Sequence, residues 1–273
     1  MLPTKHATRG LVIVKRTLSL SLAWIASVGV LAVSPVMPAQ VPISSQTIQS
    51  PALIVVGFLG GFVREDDDRH LEVQMIHRIA QTNTNGLRAV TVENRGRGRE
   101  KAHQEIVRWL DTNGDGQLSD REKQNARIIL LGHSWGGSAV IQFANELKKS
   151  GIPVLMTIQL DSINKGPGDD CVIPSNVEQA VNFYQTRGLL HGCQALHPVD
   201  ASRTRIVGNY RFEYAELPAG CRSYSWFNRH VLGAHNSMDC DPQVWGLVEE
   251  QIRSQLRAVT SGPEVAVRLS STR

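Results

Sequence analysis

The sequence offers zinc nothing to bind. It has no Cys-x-x-Cys pair and no His/Cys cluster, and its four cysteines, Cys171, Cys193, Cys221 and Cys240, all fall in the second half of the chain. The apolar run Leu18 to Val33 is short of the about 20 residues that a membrane-spanning helix needs. Nor is there an excess of one charge once the first residues are set aside. The formal net charge is +4, but four of the 29 lysines and arginines and none of the 25 acidic residues lie in 1–39, which leaves 25 against 25. That balance, with no helix-turn-helix, finger or RNA-binding signature, argues against nucleic acid as a partner. No internal repeat is present.

What the chain does have begins with its first residues. Lys5, Arg9, Lys15 and Arg16 precede the apolar run, and small residues and prolines then lead to Ala39. Charged, apolar, then small is the order of a secretory signal, so 1–39 is expected to be a signal peptide and the protein secreted or periplasmic. The alternative is an uncleaved anchor, the one membrane association foreseen. Residues 40–51, rich in Ser, Gln and Pro, read as a linker. Residues 52–259 are enough for one domain with a substantial core, and 260–273 read as a flexible tail. An even cysteine count in an exported chain reads as two disulfides. Three connectivities are open, and local closure favours Cys171–Cys193 with Cys221–Cys240.

The stretch from Arg127 to Lys148, RIILLGHSWGGSAVIQFANELK, organises the rest. Ala126 and Ile128 to Leu131 read as a buried strand, Gly132-His133-Ser134-Trp135-Gly136 makes a turn, and Ser138 to Leu147 has helical apolar spacing. This is G-x-S-x-G between a strand and a helix, the context that a nucleophile elbow requires. A sharp turn lifts the serine hydroxyl above the sheet and crowds its backbone, so Gly132 and Gly136 supply room and Gly137 lets the helix approach the strand. The bland alternative is a glycine-rich turn with a surface serine.

GHSWGG after an apolar strand resembles the α/β-hydrolase superfamily, and within it the secreted lipase and esterase branch, over about Leu53 to Val259. The resemblance implies an α/β fold with an open, mostly parallel sheet flanked by helices. It implies Ser134 as nucleophile and a base on a loop before the last helix, where His235 stands; His230, His191 and His197 compete. The acid is expected at Asp161, at the end of the strand Pro153 to Leu160, with Glu213 or Asp200 one strand later and Asp169 or Asp170 in the loop as alternatives. The order Ser…Asp…His is the superfamily's. One oxyanion donor is expected in the glycine-rich loop after the first strand, at Leu59 with Phe58 second, and the other is the amide of Trp135. The implied activity is hydrolysis of small-molecule or lipid carboxylic esters by a monomer without an organic cofactor. A thioesterase or amidase shares these parts, and a calcium-stabilised binding domain without catalysis is the second class of reading.

Asp111 to Glu122 matches the calcium-loop pattern D-x-[DN]-x-[DN]-G-x₅-E. Asp111, Asn113 and Asp115 offer hard oxygens, Gly116 permits the turn, Gln117 would give a carbonyl, Ser119 act through water, and Glu122 close the shell. No second hand follows, so a lone EF-hand-like loop with structural calcium is expected. Arg95, Arg97 and Arg99 read as a solvated basic loop, with an anion site as the alternative. Ser175 to Glu178 has the form of a capping box, and Val177, Val181 and Tyr184 then predict a helix, either a small cap or a crossover.

Overall fold

A computed structural model describes residues 50–82, 86–224, 226 and 232–261. The leader, most of the linker, the tail beyond residue 261 and His230 lie outside the described residues. Eight strands are present among them: β1 (Leu53–Leu59), β2 (Leu87–Glu93), β3 (Ile128–His133), β4 (Val154–Leu160), β5 (Val172–Ile173), β6 (Val177–Tyr184), β7 (His197–Pro198) and β8 (Arg205–Arg211). Six of them form a parallel sheet in the order β2-β1-β3-β4-β6-β8, while β5 and β7 pair by themselves. The helices are α1 (Leu71–Gln81), α2 (Gly98–Leu110), α3 (Asp120–Gln124), α4 (Trp135–Lys149), α5 (Gly233–Asp239) and α6 (Pro242–Thr260). This is the α/β architecture expected, and among the described residues no helix is long and apolar enough to cross a membrane.

All seven residues of β1, LIVVGFL, are buried because helices cover both faces of the sheet. Strand alternation sorts them. Ile54, Val56 and Phe58 pack with Ile106 and Leu110 of α2 and Phe143 of α4. Leu53 and Val55 pack instead with Met75 and Ile76 of α1 and Val248 and Ile252 of α6. From β1 the chain goes to β2 on one side and later returns as β3 on the other, so the connections leaving β1 and β3 part at the carboxyl ends of those strands. In open parallel sheets that switch point is where a crevice forms.

Two elements differ from expectation. Val177 to Tyr184 is strand β6 and not a helix. Val177 and Ala180 join one core layer, Val181 and Phe183 the other. A strand buried on both faces loses its alternating signature, and its apolar residues then also fit helical spacing. The β-branched and aromatic residues decide for strand once β4 and β8 are available as partners. His235 lies inside the short helix α5 and not on a loop; the last long helix, α6, does start at Pro242, with Asp241 accepting a hydrogen bond from the Gln243 amide as its cap. The disulfides are Cys171–Cys193 and Cys221–Cys240, closing loops of 22 and 19 residues. Loops of that length are worth about 3 kcal/mol each on chain-entropy grounds. The first ties the β4–β6 connection to the β6–β8 connection, and the second ties the 3₁₀ turn Ala219–Ser223 to the end of α5.

Candidate active site

Ser134 stands between β3 and α4 at φ 58° and ψ −125°, a backbone region that non-glycine residues rarely occupy. Conformations of this kind cost of order 1–3 kcal/mol and persist where the surroundings over-determine them. Here the Ser134 amide donates to the Leu160 carbonyl at 2.9 Å, and its carbonyl accepts from the amides of Gly137 and Ile163, each at 3.0 Å. The flanking glycines are required by packing. A Cβ on Gly136 would fall 1.7 Å from the Phe58 carbonyl oxygen, and one on Gly132 2.5 Å from the Gly136 carbonyl carbon.

Three of the expected residues meet at this turn. Ser134 Oγ lies 2.8 Å from His235 Nε2, and His235 Nδ1 lies 2.8 Å from Asp161 Oδ2. With Nδ1–H donating to the carboxylate, Nε2 is left as the acceptor for the serine hydroxyl. Asp161 is fully buried at the end of β4, itself at a positive φ of 42°. Its second oxygen accepts from the Gly192 amide at 2.7 Å, and Gln185 Nε2 donates to Oδ2 at 2.7 Å. Burial alone would raise the carboxyl, but the bond and charge of His235, with Gln185 and Gly192, outweigh it and hold Asp161 below the usual carboxylate range. Gln185 and Gly192 were not legible in the sequence as supports.

The competing residues are elsewhere. His191 and His197 are exposed. Glu213 pairs with Arg211 at 3.0 Å, Asp200 accepts from Ser202, Asp169 from the Cys171 amide, and Asp170 from Ser162 Oγ. Trp135 is the first residue of α4, where helix amides lack intrahelical acceptors. Leu59 ends β1, in register with Glu93 of β2, and the chain that lines the cavity beside Ser134 starts one residue later at Gly60. A Cβ on Gly60 would meet the His133 carbonyl oxygen at 2.9 Å, so the glycine loop presses directly on the elbow. The cavity has a volume of about 540 Å³.

A second polar group lines it that no sequence signal marked. His70 Nδ1 is 2.6 Å from Asp239 Oδ2, and Tyr224 donates to the same oxygen at 2.5 Å. Burial would raise Asp239, but the His70 hydrogen bond, the nearby imidazoles and the Tyr224 hydroxyl bring it down to about 2. His133 stacks on the His235 ring with centroids 4.7 Å apart, and its Nε2 donates to the His235 carbonyl oxygen at 3.1 Å. Burial, then the neighbouring His235, push the His133 imidazole down to about 4, so it stays neutral. Beneath them Glu72 is pushed well up by burial and by the Asp239 charge, and its Oε1 has no hydrogen-bond partner among the described residues.

The expected calcium loop is folded by its own side chains. Asp111 accepts from the amides of Gly114 and Gly116 at 2.7 and 2.8 Å, and Asp115 from that of Gln117 at 2.8 Å. Gly114 and Gly116 take the left-handed φ values, 74° and 79°, that the turn needs. Glu122 gives one oxygen to Thr112 and the other to Ser119, capping α3. Those hydrogen bonds lower its carboxyl to about 2. Oxygen-only donors suit calcium, although Glu122 would have to exchange these partners to reach an ion. Acidic and sulfur atoms also converge at Asp169, Asp170, Cys171 and Cys193, but the two sulfurs are bonded to each other and offer no thiolate. A hollow of about 560 Å³ beside Arg95, Arg97 and Arg99 does not include Ser134 in its lining. Its guanidiniums pair with Glu93, Glu100 and Glu146, which accounts for the basic loop without an anion.

No protein-family model matches the chain, and no curated protein matches it.

Proposed function

We propose that the chain is a secreted serine hydrolase of carboxylic esters, of the lipase and esterase kind within the α/β-hydrolase superfamily. The observation that carries this reading is the unbroken set of contacts from Ser134 Oγ to His235 Nε2 and from His235 Nδ1 to Asp161, at 2.8 Å each. In the first step His235 takes the serine proton as Oγ attacks the ester carbonyl. The ring becomes an imidazolium, and the ionised, buried Asp161 stabilises it where water screens little. The amide of Trp135 holds the developing oxyanion together with a donor from the glycine-rich loop, which reaches the cavity at Gly60 and not at the expected Leu59. His235 then protonates the departing alcohol, and water, deprotonated by the same ring, clears the acyl-enzyme.

The two disulfides fit an oxidising compartment. Calcium belongs to this reading as a structural ion. It would be held by Asp111, Asn113, Asp115, the Gln117 carbonyl, Ser119 and Glu122, and would neutralise the loop's acids just before β3. It takes no part in acyl transfer.

Labelling with a fluorophosphonate probe tests the nucleophile. Wild type should label and Ser134→Ala should not; equal labelling of both would sink the proposal. Rates across p-nitrophenyl esters of increasing chain length then divide esterase from lipase, and matched thioesters and anilides test the thioesterase and amidase alternatives.

A further inference from the structure

The cavity beside Ser134 contains a second imidazole–carboxylate pair that acyl transfer does not use. His70 faces Asp239 through Nδ1 at 2.6 Å, so the nitrogen it can offer elsewhere is Nε2. Among the described residues no hydrogen bond engages that atom. Asp67 Oδ2 stands 3.7 Å away, beyond hydrogen-bond reach, and the Asp67 oxygens are held by Arg69 at 2.7 and 2.6 Å. The His70 side chain is 14% exposed, and what it exposes faces the cavity. Tyr224, fixed on Asp239, stands beside it with ring centroids 5.2 Å apart. A mostly buried ring clamped by two partners, with its free nitrogen at a cavity wall, is an arrangement that waits for a ligand atom.

The walls of the cavity differ in character. On the α4 side stand Trp135 and, edge-on to it at 5.7 Å, Phe62; Ile163 and Leu190 extend this apolar lining. On the α1 and α5 side stand His70, Tyr224 and Asp239. An ester bound at Ser134 has two arms, one from the acid and one from the alcohol. A plain alkyl arm laid against the second wall would take water from the His70 nitrogen and return nothing, which is unfavourable. Among the described residues the charges on that wall pair off as Arg69 with Asp67 and His70 with Asp239, which leaves little net charge there to hold an anion.

We propose that His70, held by Asp239 and Tyr224, is a specificity-determining residue that hydrogen-bonds an uncharged oxygen on one arm of the substrate. The preferred substrates are then oxygen-substituted esters, carrying an ether, hydroxyl or further carbonyl, and not simple alkyl esters. Burial pulls His70 down, but its bond to Asp239 outweighs that and the ring is displaced upward, which favours a proton on Nε2 and hence an acceptor on the ligand. This inference rests on the serine-hydrolase reading.

Two isosteric ester pairs test it, one for each arm. For the acyl arm, p-nitrophenyl ω-methoxypentanoate is compared with p-nitrophenyl heptanoate; for the alcohol arm, methoxyethyl butanoate with butyl butanoate. Hydroxide-catalysed rates of the same compounds correct for intrinsic reactivity. In wild type one pair should favour the ether by about tenfold in kcat/KM, the usual scale for one hydrogen bond. In His70→Ala and His70→Phe that ratio should fall to about one, and in Tyr224→Phe to an intermediate value. Equal corrected rates within both pairs in wild type would overturn the inference while leaving the hydrolase intact, whatever the variants do. So would a ratio that survives both His70 substitutions. If none of the four esters turns over and Ser134 does not label, the hydrolase reading fails and this inference falls with it.

Discussion

Two histidines facing one cavity each hold a carboxylate, and they differ in what stands on the other side of the ring. His235 bonds Asp161 at 2.8 Å and reaches Ser134 Oγ with its second nitrogen. His70 bonds Asp239 at 2.6 Å, and its second nitrogen reaches no hydroxyl among the described residues. The imidazole–carboxylate bond is thus not what separates a candidate base from a structural or binding histidine. The separating feature is the backbone of the third partner. Ser134 is lifted into reach by a left-handed φ of 58° and two packed glycines, whereas Tyr224, the hydroxyl next to His70, has an extended backbone and is already tied to Asp239. A hydroxyl whose proton is engaged by a buried carboxylate is a donor with its task assigned.

The sharpest way to break this contrast is to remove the same element from each side. Ser134→Ala should reduce ester hydrolysis by about 10⁶-fold, and Asp161→Asn by about 10⁴-fold, because the amide favours the wrong imidazole tautomer. Asp239→Asn should instead act mainly on stability, by about 2 kcal/mol in a denaturant titration, since it loses a charge-assisted bond to His70 inside the fold. Its effect on kcat should be no more than about tenfold. If Asp239→Asn slowed hydrolysis as much as Asp161→Asn, the two pairs would form one relay and the distinction drawn here would fail.

The contrast also divides what the sequence discloses. Ser134, Asp161 and His235 are legible because each occupies a chain position that a local pattern marks: a glycine-framed turn, the end of an apolar strand, the stretch just ahead of the last amphipathic helix. Asp161 and His235 still come together across 74 residues. His70 and Asp239 are 169 residues apart, and neither stands in a pattern that distinguishes it from a solvated residue. His133 was in plain view inside the elbow, but its stacking on His235 depends on where α5 lands, which no neighbouring residue encodes. The reading of β6 as a helix failed for a related reason. Once both faces are buried, periodicity stops reporting secondary structure, and only the partners β4 and β8 decide it.

A further effect should appear in the pH dependence of stability, with the two flanking histidines pulling in opposite directions. The unfolded His133 imidazole takes its proton near 6.5, and the buried one only near 4. Between those values the unfolded chain binds the extra proton, so this residue makes stability fall as the pH drops from about 6.5 to about 4. The loss is up to about 3 kcal/mol over the window. His70 has the opposite sign: its raised value stabilises the fold below 6.5 and that contribution fades as pH rises through the folded value. Comparing wild type with His133→Phe and with His70→Phe in denaturant at several pH values separates them. The acid loss should shrink in His133→Phe, whereas His70→Phe should leave it unchanged and remove the stability lost as pH rises above about 6.5. Identical slopes in all three would mean that neither ring titrates differently in the fold.

The smallest expected effect belongs to the loop Asp111 to Glu122, which lies apart from both histidine pairs. Its turns are closed by its own amides and carboxylates, and Glu122 is engaged by Thr112 and Ser119, partners that it would exchange on binding an ion. A site of extracellular strength, with a dissociation constant of about 10⁻⁴ M, gives about 1.4 kcal/mol at millimolar calcium. For a domain of this size that raises Tm by about 3–6 °C. The ion should change neither the fluorophosphonate labelling of Ser134 nor the ether preference ascribed to His70, because none of the loop residues lines the cavity. Asp111→Ala should lose the calcium response and, with it, the turn that holds Gly114 and Gly116. Asn113→Ala removes one expected ligand with less damage to that turn, and should weaken the response without abolishing the fold. Melting curves that coincide in calcium and in chelator would remove the ion from this account and leave Glu122 as a helix cap.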